Sequence, residues 1–136
     1  MAPQPRQIAI DAARRAGYLI REQFGRVQAV ELKGERDLVT AVDRAAEALI
    51  VEQIRSAFPD HTIVAEEGTG GSPRDAAHCW FVDPLDGTTN YAHGYPFFAV
   101  SVAYAARGEL RVGVVYDPLH DELFAAEAGA GAYLNA

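Results

Sequence analysis

Apolar positions recur at helical spacing through the first third of the chain. Over residues 7–24, Ile8, Ala12, Ala16, Leu19 and Ile20 fall near one side, with Arg14, Arg21 and Glu22 elsewhere. That spacing predicts an amphipathic helix that stops at Gly25. From about 42 to 57, Val42, Ala46, Leu49, Ile50, Ile54 and Ala57 step by three and four, with Arg44, Glu47 and Arg55 opposite. A second helix is expected there, with Thr40 as its candidate N-cap and Phe58-Pro59-Asp60 as its end. After Pro59 the pattern changes to short apolar runs. Thr62-Ile63-Val64-Ala65 and Cys79-Trp80-Phe81-Val82 read as two buried strands, separated by a Gly-, Ser- and Pro-rich loop from Gly68 to Arg74. Strands follow at about 97–106, 110–116 and 122–126, with turns at Arg107-Gly108 and Asp117-Pro118, as in an antiparallel meander. Residues 129–134 begin one more turn and strand. The expected fold class is α+β: two amphipathic helices packed on a largely antiparallel sheet.

Composition narrows the function classes. At 136 residues and 49% hydrophobic, the chain has the length of one domain and enough apolar content for a core. Nineteen acidic against twelve basic residues give a net charge of −7, which disfavours nucleic acid and anionic lipid as partners. The one cysteine, Cys79, permits neither an internal disulfide nor a Cys-based zinc site, and reads as an inert small hydrophobe. The histidines, His61, His78, His93 and His120, show no pair at metal-ligand spacing, so surface or loop roles are expected. With no apolar run of membrane length and no signal-like N-terminus, a cytoplasmic location is expected.

Two of the apolar strands deliver acids at their ends. Ile63-Val64-Ala65 leads to Glu66, and Trp80-Phe81-Val82 leads to Asp83, with Asp86 three residues later. Carboxylates held together on buried strands repel one another, and a divalent cation relieves that repulsion. Mg²⁺ takes hard oxygen ligands, usually a few carboxylates with waters and phosphate oxygens. Pro84 suggests a tight turn carrying Asp83 and Asp86, with the Leu85 carbonyl between them. Gly87-Thr88-Thr89 offers free backbone amides that attract an anion. Singly, a strand-end Asp is more often a turn former, and Glu66-Glu67 a solvated pair. Together, three acids beside a Gly-Thr-Thr segment point to phosphoryl chemistry.

The run Trp80-Phe81-Val82-Asp83-Pro84-Leu85-Asp86-Gly87-Thr88-Thr89-Asn90-Tyr91 closely resembles the metal-binding signature of the inositol monophosphatase family. Asp37-Leu38-Val39-Thr40-Ala41-Val42-Asp43, Ala65-Glu66-Glu67, Phe97-Phe98-Ala99-Val100-Ser101-Val102 and Gly129-Ala130-Gly131-Ala132-Tyr133-Leu134-Asn135 fit the same family in order. The resemblance implies that Glu66, Asp83, the Leu85 carbonyl and Asp86 bind Mg²⁺, with two or three ions in the complete enzyme. It implies that Gly87 and Thr88 give amides to the phosphate, where Glu66, Leu85 and Asp86 also meet the substrate. Asp43 and Thr88 would orient and deprotonate the attacking water. Glu67 would hold a water or a weaker metal, and Lys33 would favour anionic substrates at the entrance. The implied reaction is direct hydrolysis of a small phosphate monoester by activated water, without a phospho-enzyme.

The family also has a second lobe with a Trp-Asp motif, and Trp80 is the chain's one tryptophan. Residues 1–136 are therefore read as the N-terminal metal- and phosphate-binding lobe of a layered α-β-α-β-α sandwich, with the C-terminal lobe absent. The complete protein is expected to be a homodimer and lithium-sensitive. Inositol monophosphate, histidinol phosphate, fructose bisphosphate and a nucleotide 3′-phosphate are all open as substrates. The alternative is that these residues alone form a non-catalytic, weakly cation-binding fragment. A weaker likeness to Asp-x-Asp-Gly-Thr phosphatases fails on spacing, because two residues separate Asp83 from Asp86.

Overall fold

A computed structural model of the chain describes residues 2–29, 32–65 and 76–135, with side chains for all of these except 27–29 and 32–37. Both helices run further than their apolar stripes predict. Helix α1 (Pro5–Ala29) passes through Gly25 instead of stopping there. A glycine inside a helix costs only about 1 kcal/mol relative to alanine. The ring of the preceding Phe24 packs on Tyr91 and Phe98, and Arg26 in the last turn suits the negative end of the helix. Helix α2 (Leu32–Ala57) starts ten residues before the predicted Val42, so Thr40 lies inside it and is not an N-cap. The reason is that the buried stripe begins earlier: Val39, Val42, Ala46, Ile50 and Ile54 form one buried row. The helix ends at Ala57, where expected.

The strands are β1 (Thr62–Ala65), β2 (His78–Asp86), β3 (Ala99–Ala106), β4 (Glu109–Asp117), β5 (Glu122–Glu127) and β6 (Gly131–Leu134). They form one sheet in chain order. β1 lies parallel to β2 and every later pair is antiparallel, so the largely antiparallel sheet is as expected. Arg107 and Gly108 both take positive φ in the two-residue β3–β4 turn, as a tight hairpin requires. The β4–β5 turn is capped by Asp117, whose Oδ1 accepts from the amides of Leu119 and His120.

Both helices cover one face of the sheet, α1 over β3 and β4, α2 over β2. The core between them holds Trp80, Val82, Val100, Val102, Val114 and Tyr116. Small residues on α1 (Ala9, Ala12, Ala13, Ala16) let it lie close to the sheet. At Gly17 the approach leaves no room for a side chain: a Cβ there would stand 2.4 Å from the Tyr116 ring. No helix among the described residues is long and apolar enough to cross a membrane.

Two of the histidines meet each other. His61 and His78 stack at 4.2 Å between ring centroids, although 17 positions apart in sequence. Trp80 Nε1 donates to His61 Nδ1 at 3.0 Å, and His78 Nδ1 meets the Tyr104 hydroxyl at 2.6 Å. Phe58 stacks on the far side of His61. The parallel pairing of β1 with β2 and the pairing of Trp80 with Tyr104 bring these rings to one end of the sheet. Cys79 is buried on the opposite face from Trp80, and burial pushes its thiol pKa up, in keeping with an inert role.

Candidate functional site

The acids of the central motif sit on a distorted strand end, not on the tight turn that Pro84 suggests. β2 continues through Pro84 to Asp86, and its pairing with β3 slips on the way. Asp83 pairs with Ser101 and Asp86 with Ala99, so three steps along β2 match two along β3. The physical cause is proline: without an N–H it cannot donate to the ladder, and the strand takes up an extra residue as a bulge. The bulge has a chemical consequence. In a regular strand, residues three apart lie on opposite faces. The extra residue restores parity, so Asp83 and Asp86 pair with Ser101 and Ala99, two residues on the same face of β3. That face is the one turned away from the helices, since Val82 and Val100 are in the core. Asp83 is half-buried and Asp86 exposed, while Leu85 between them is buried at 1% exposure. The Leu85 amide donates to Asp83 Oδ1 at 3.3 Å, which fixes that carboxylate against its own turn of chain.

Gly87 follows at φ 94°, ψ 37°, a left-handed conformation that glycine reaches without strain. A Cβ there would also lie 3.1 Å from the Phe97 carbonyl oxygen. The chain then enters a short helix, α3 (Thr88–Ala92), for which Gly87 is the N-cap residue. The free amides that Gly87-Thr88-Thr89 offers are therefore those of a helix start. The Tyr91 amide bonds the Gly87 carbonyl at 2.9 Å. A cleft of about 550 Å³ opens beside Asp86, Gly87 and Asn90, walled by Phe97, Val115 and Phe124.

Asp43 lies on α2 and is half-buried. α2 packs against both β2 and α3, the elements that carry Asp83, Asp86 and Thr88. Glu66 and Glu67 lie outside the described residues, as does the side chain of Lys33 at the start of α2. Among the described residues no group of three or more His, Cys, Asp and Glu is placed to hold a metal ion. What the described part offers a metal is two carboxylates, Asp83 and Asp86, on one sheet face with a backbone carbonyl between them. All three donors are hard oxygens, a set that suits Mg²⁺ and not a thiolate- or imidazole-seeking metal.

The sequence model of the inositol monophosphatase family matches residues 3–136. The chain belongs to that family. Its relatives include the Nus factor SuhB of Vibrio cholerae, 49% identical over 130 residues that cover 94% of this chain and 49% of the relative. Among solved structures, the inositol monophosphatase of Anabaena (Nostoc) matches with a TM-score of 0.80 and 44% identity, over 96% of this chain and 46% of that one. The extragenic suppressor protein suhB of Bartonella henselae matches with a TM-score of 0.82 and 40% identity, over 95% of this chain and 50% of that one. The chain spans about half the length of the curated relatives it matches.

Within this member of the family, sequence reasoning named the acids but missed the device that puts them on one face. Its signal was present: a proline inside an apolar strand pattern marks a bulge at least as well as a turn. It also gave no role to Tyr91, which is buried at 0% exposure.

Proposed function

We propose that this chain is the N-terminal metal- and phosphate-binding lobe of a Mg²⁺-dependent phosphatase that hydrolyses a small phosphate monoester of the inositol monophosphate kind. The observation that carries the reading is the bulge at Pro84, which sets Asp83 and Asp86 on one face directly ahead of the left-handed Gly87. Asp83, the Leu85 carbonyl and Asp86 would hold Mg²⁺ together with Glu66. When bound, Mg²⁺ supplies charge neutralisation for the phosphate and lowers the pKa of a coordinated water. The Gly87 and Thr88 amides would donate to phosphate oxygens, the interaction that gains most as negative charge gathers there in the transition state. Asp43 and Thr88 would orient the attacking water, with Asp43 accepting its proton. The water oxygen would bond to phosphorus as the ester P–O bond breaks, the leaving oxygen would take a proton from solvent water, and the products would be the alcohol and inorganic phosphate. Glu67 and Lys33 have secondary roles in this reading, the first toward a water or weaker ion, the second toward the anionic substrate.

The outer sheet face supports the division into lobes. Phe81, Val115, Phe124 and Leu134 are 36–49% exposed on the same face as the acids. Such a patch calls for cover, and a second lobe would cover it and complete the metal site. The complete protein would be a cytoplasmic homodimer. The substrate is open among inositol phosphates, histidinol phosphate, fructose bisphosphate and nucleotide 3′-phosphates.

The test is phosphate release from inositol 1-phosphate, then from the other three substrate types, by the full-length protein with and without Mg²⁺. Mg²⁺-dependent turnover of one of them is expected, and its absence on all of them would sink the reading. A second reading draws on the name Nus factor borne by curated relatives: these residues serve as a non-catalytic, weakly cation-binding interaction module. Robust turnover by residues 1–136 alone would exclude that module, and Mg²⁺ binding without turnover in the full-length protein would favour it.

A further inference from the structure

We infer that Tyr91 is a positioning residue for the phosphate-binding peptide, coupling helix α1 to the Gly87–Thr88 backbone. The inference rests on the phosphatase reading above. Tyr91 bonds to α1 through its side chain and to Gly87 through its backbone. Its backbone N–H donates to the Gly87 carbonyl at 2.9 Å, and its hydroxyl donates to the Ile20 carbonyl of α1 at 2.7 Å. The ring between them is fully buried, 5.3 Å from Phe24 and 4.8 Å from Phe98 between centroids. Tyr91 is therefore held from both ends and along its length.

The Gly87 carbonyl and the Thr88 N–H belong to one peptide unit. In a planar trans peptide these two groups point in opposite directions. Holding the carbonyl toward the Tyr91 amide thus aims the Thr88 N–H out of the N-terminal end of α3. A five-residue helix cannot fix this direction by itself, because short helices are marginal without outside packing. Asn90 supplies a second restraint, with Nδ2 donating to the Phe97 carbonyl at 2.9 Å, but that bond ties α3 only to the loop that follows it. The Tyr91 hydroxyl adds a hydrogen bond from α3 to the long helix α1, beside the packing of Phe24 on its ring and of α2 on α3. The carboxylates Asp83 and Asp86 are held by β2 and do not depend on this tie.

The experiment compares wild type and Tyr91→Phe in the full-length protein. The substitution keeps the buried ring and removes only the hydroxyl. With an active wild type, the inhibition constant for inorganic phosphate is expected to rise and kcat to fall, each by about three- to tenfold, the scale of one lost hydrogen bond. The Mg²⁺ concentration for half-maximal activity should stay within about twofold, because the acids are seated on a different element. Unchanged kcat and phosphate inhibition in an active enzyme would overturn the inference. So would a parallel rise in the Mg²⁺ requirement, which would indicate general loosening. If the wild type hydrolyses no small phosphate ester, the phosphatase reading fails and amide hydrogen exchange decides the coupling. Exchange at the Tyr91 and His93 amides should then speed up in Tyr91→Phe while Val102 and Val114 exchange as before. Equal exchange at α3 in both proteins would overturn the coupling as well.

Discussion

The two ends of β2 are built on opposite principles. At its start, His78 and Trp80 join Phe58, His61 and Tyr104 in a stack of rings whose polar atoms pair with one another. At its end, a proline breaks the ladder, the register slips, and Asp83 and Asp86 share the face away from the helices. The first end satisfies its polar groups internally and stabilises the fold. The second keeps two carboxylates on the uncovered face, where like charges repel and a cation would relieve the repulsion. One nine-residue strand thus carries a structural anchor and the candidate site, with the change of role at the bulge.

The sharpest break in that comparison is made at the anchor. Trp80 is fully buried, and its indole N–H is satisfied by His61. Trp80→Ala should cost about 3–5 kcal/mol of unfolding free energy, the usual range for removing a large buried aromatic residue. Denaturant unfolding measures it. A loss below about 1 kcal/mol, a surface-like value, would mean that the ring stack is not the anchor.

The mirror experiment is made at the other end. Asp86 is exposed and its side chain has no packing role in the core. Asp86→Asn removes a charge from the proposed Mg²⁺ set and should lower kcat/KM by about 10²–10³-fold, comparable with loss of one key transition-state donor. The same change should leave the unfolding midpoint in metal-free buffer almost where it was, since surface substitutions usually fall within about 0.5 kcal/mol. A variant that keeps full activity, or that loses stability as Trp80→Ala does, would erase the distinction between the two ends.

How much of this was legible in the sequence follows from what each feature depends on. The sheet, its meander and its turns are local: alternating apolar residues and Arg107-Gly108 or Asp117-Pro118 pairs dictate them at close range. The end of α1 and the start of α2 were misread because they are decided by packing. Gly25 stays helical where Phe24 is held by Tyr91 and Phe98, and α2 begins early because Val39 is already buried. The acids of the motif were legible as chemistry. Their shared face was not, because it depends on register between β2 and β3, which no single segment encodes. The ring stack was missed for the same reason: His61 and His78 meet only through the parallel pairing of β1 with β2.

The smallest expected effect separates the two ends by pH. Burial, and then the adjacent His78, hold the His61 pKa below its ordinary value of 6.5, against a weaker upward pull from Asp60. The geometry agrees: Nδ1 accepts the Trp80 N–H, so a proton there would set donor against donor. The other groups at this end are the Tyr104 hydroxyl, bonded to His78, and Arg111, whose charge acts on Tyr104. With the folded pKa depressed, the unfolded chain takes up the proton first as pH falls. The stability from neutral His61 is therefore complete above pH 6.5 and declines as pH falls from there toward the folded pKa. Denaturant midpoints measured between about pH 7.5 and 5 should fall for wild type and fall less steeply for His61→Phe, which keeps a stacking ring but takes no proton. The variant will be less stable throughout, since Trp80 loses its acceptor, so the slope and not the level is the readout. Parallel slopes would show that His61 takes up its proton alike in both states, and that the ring stack anchors β2 by packing alone.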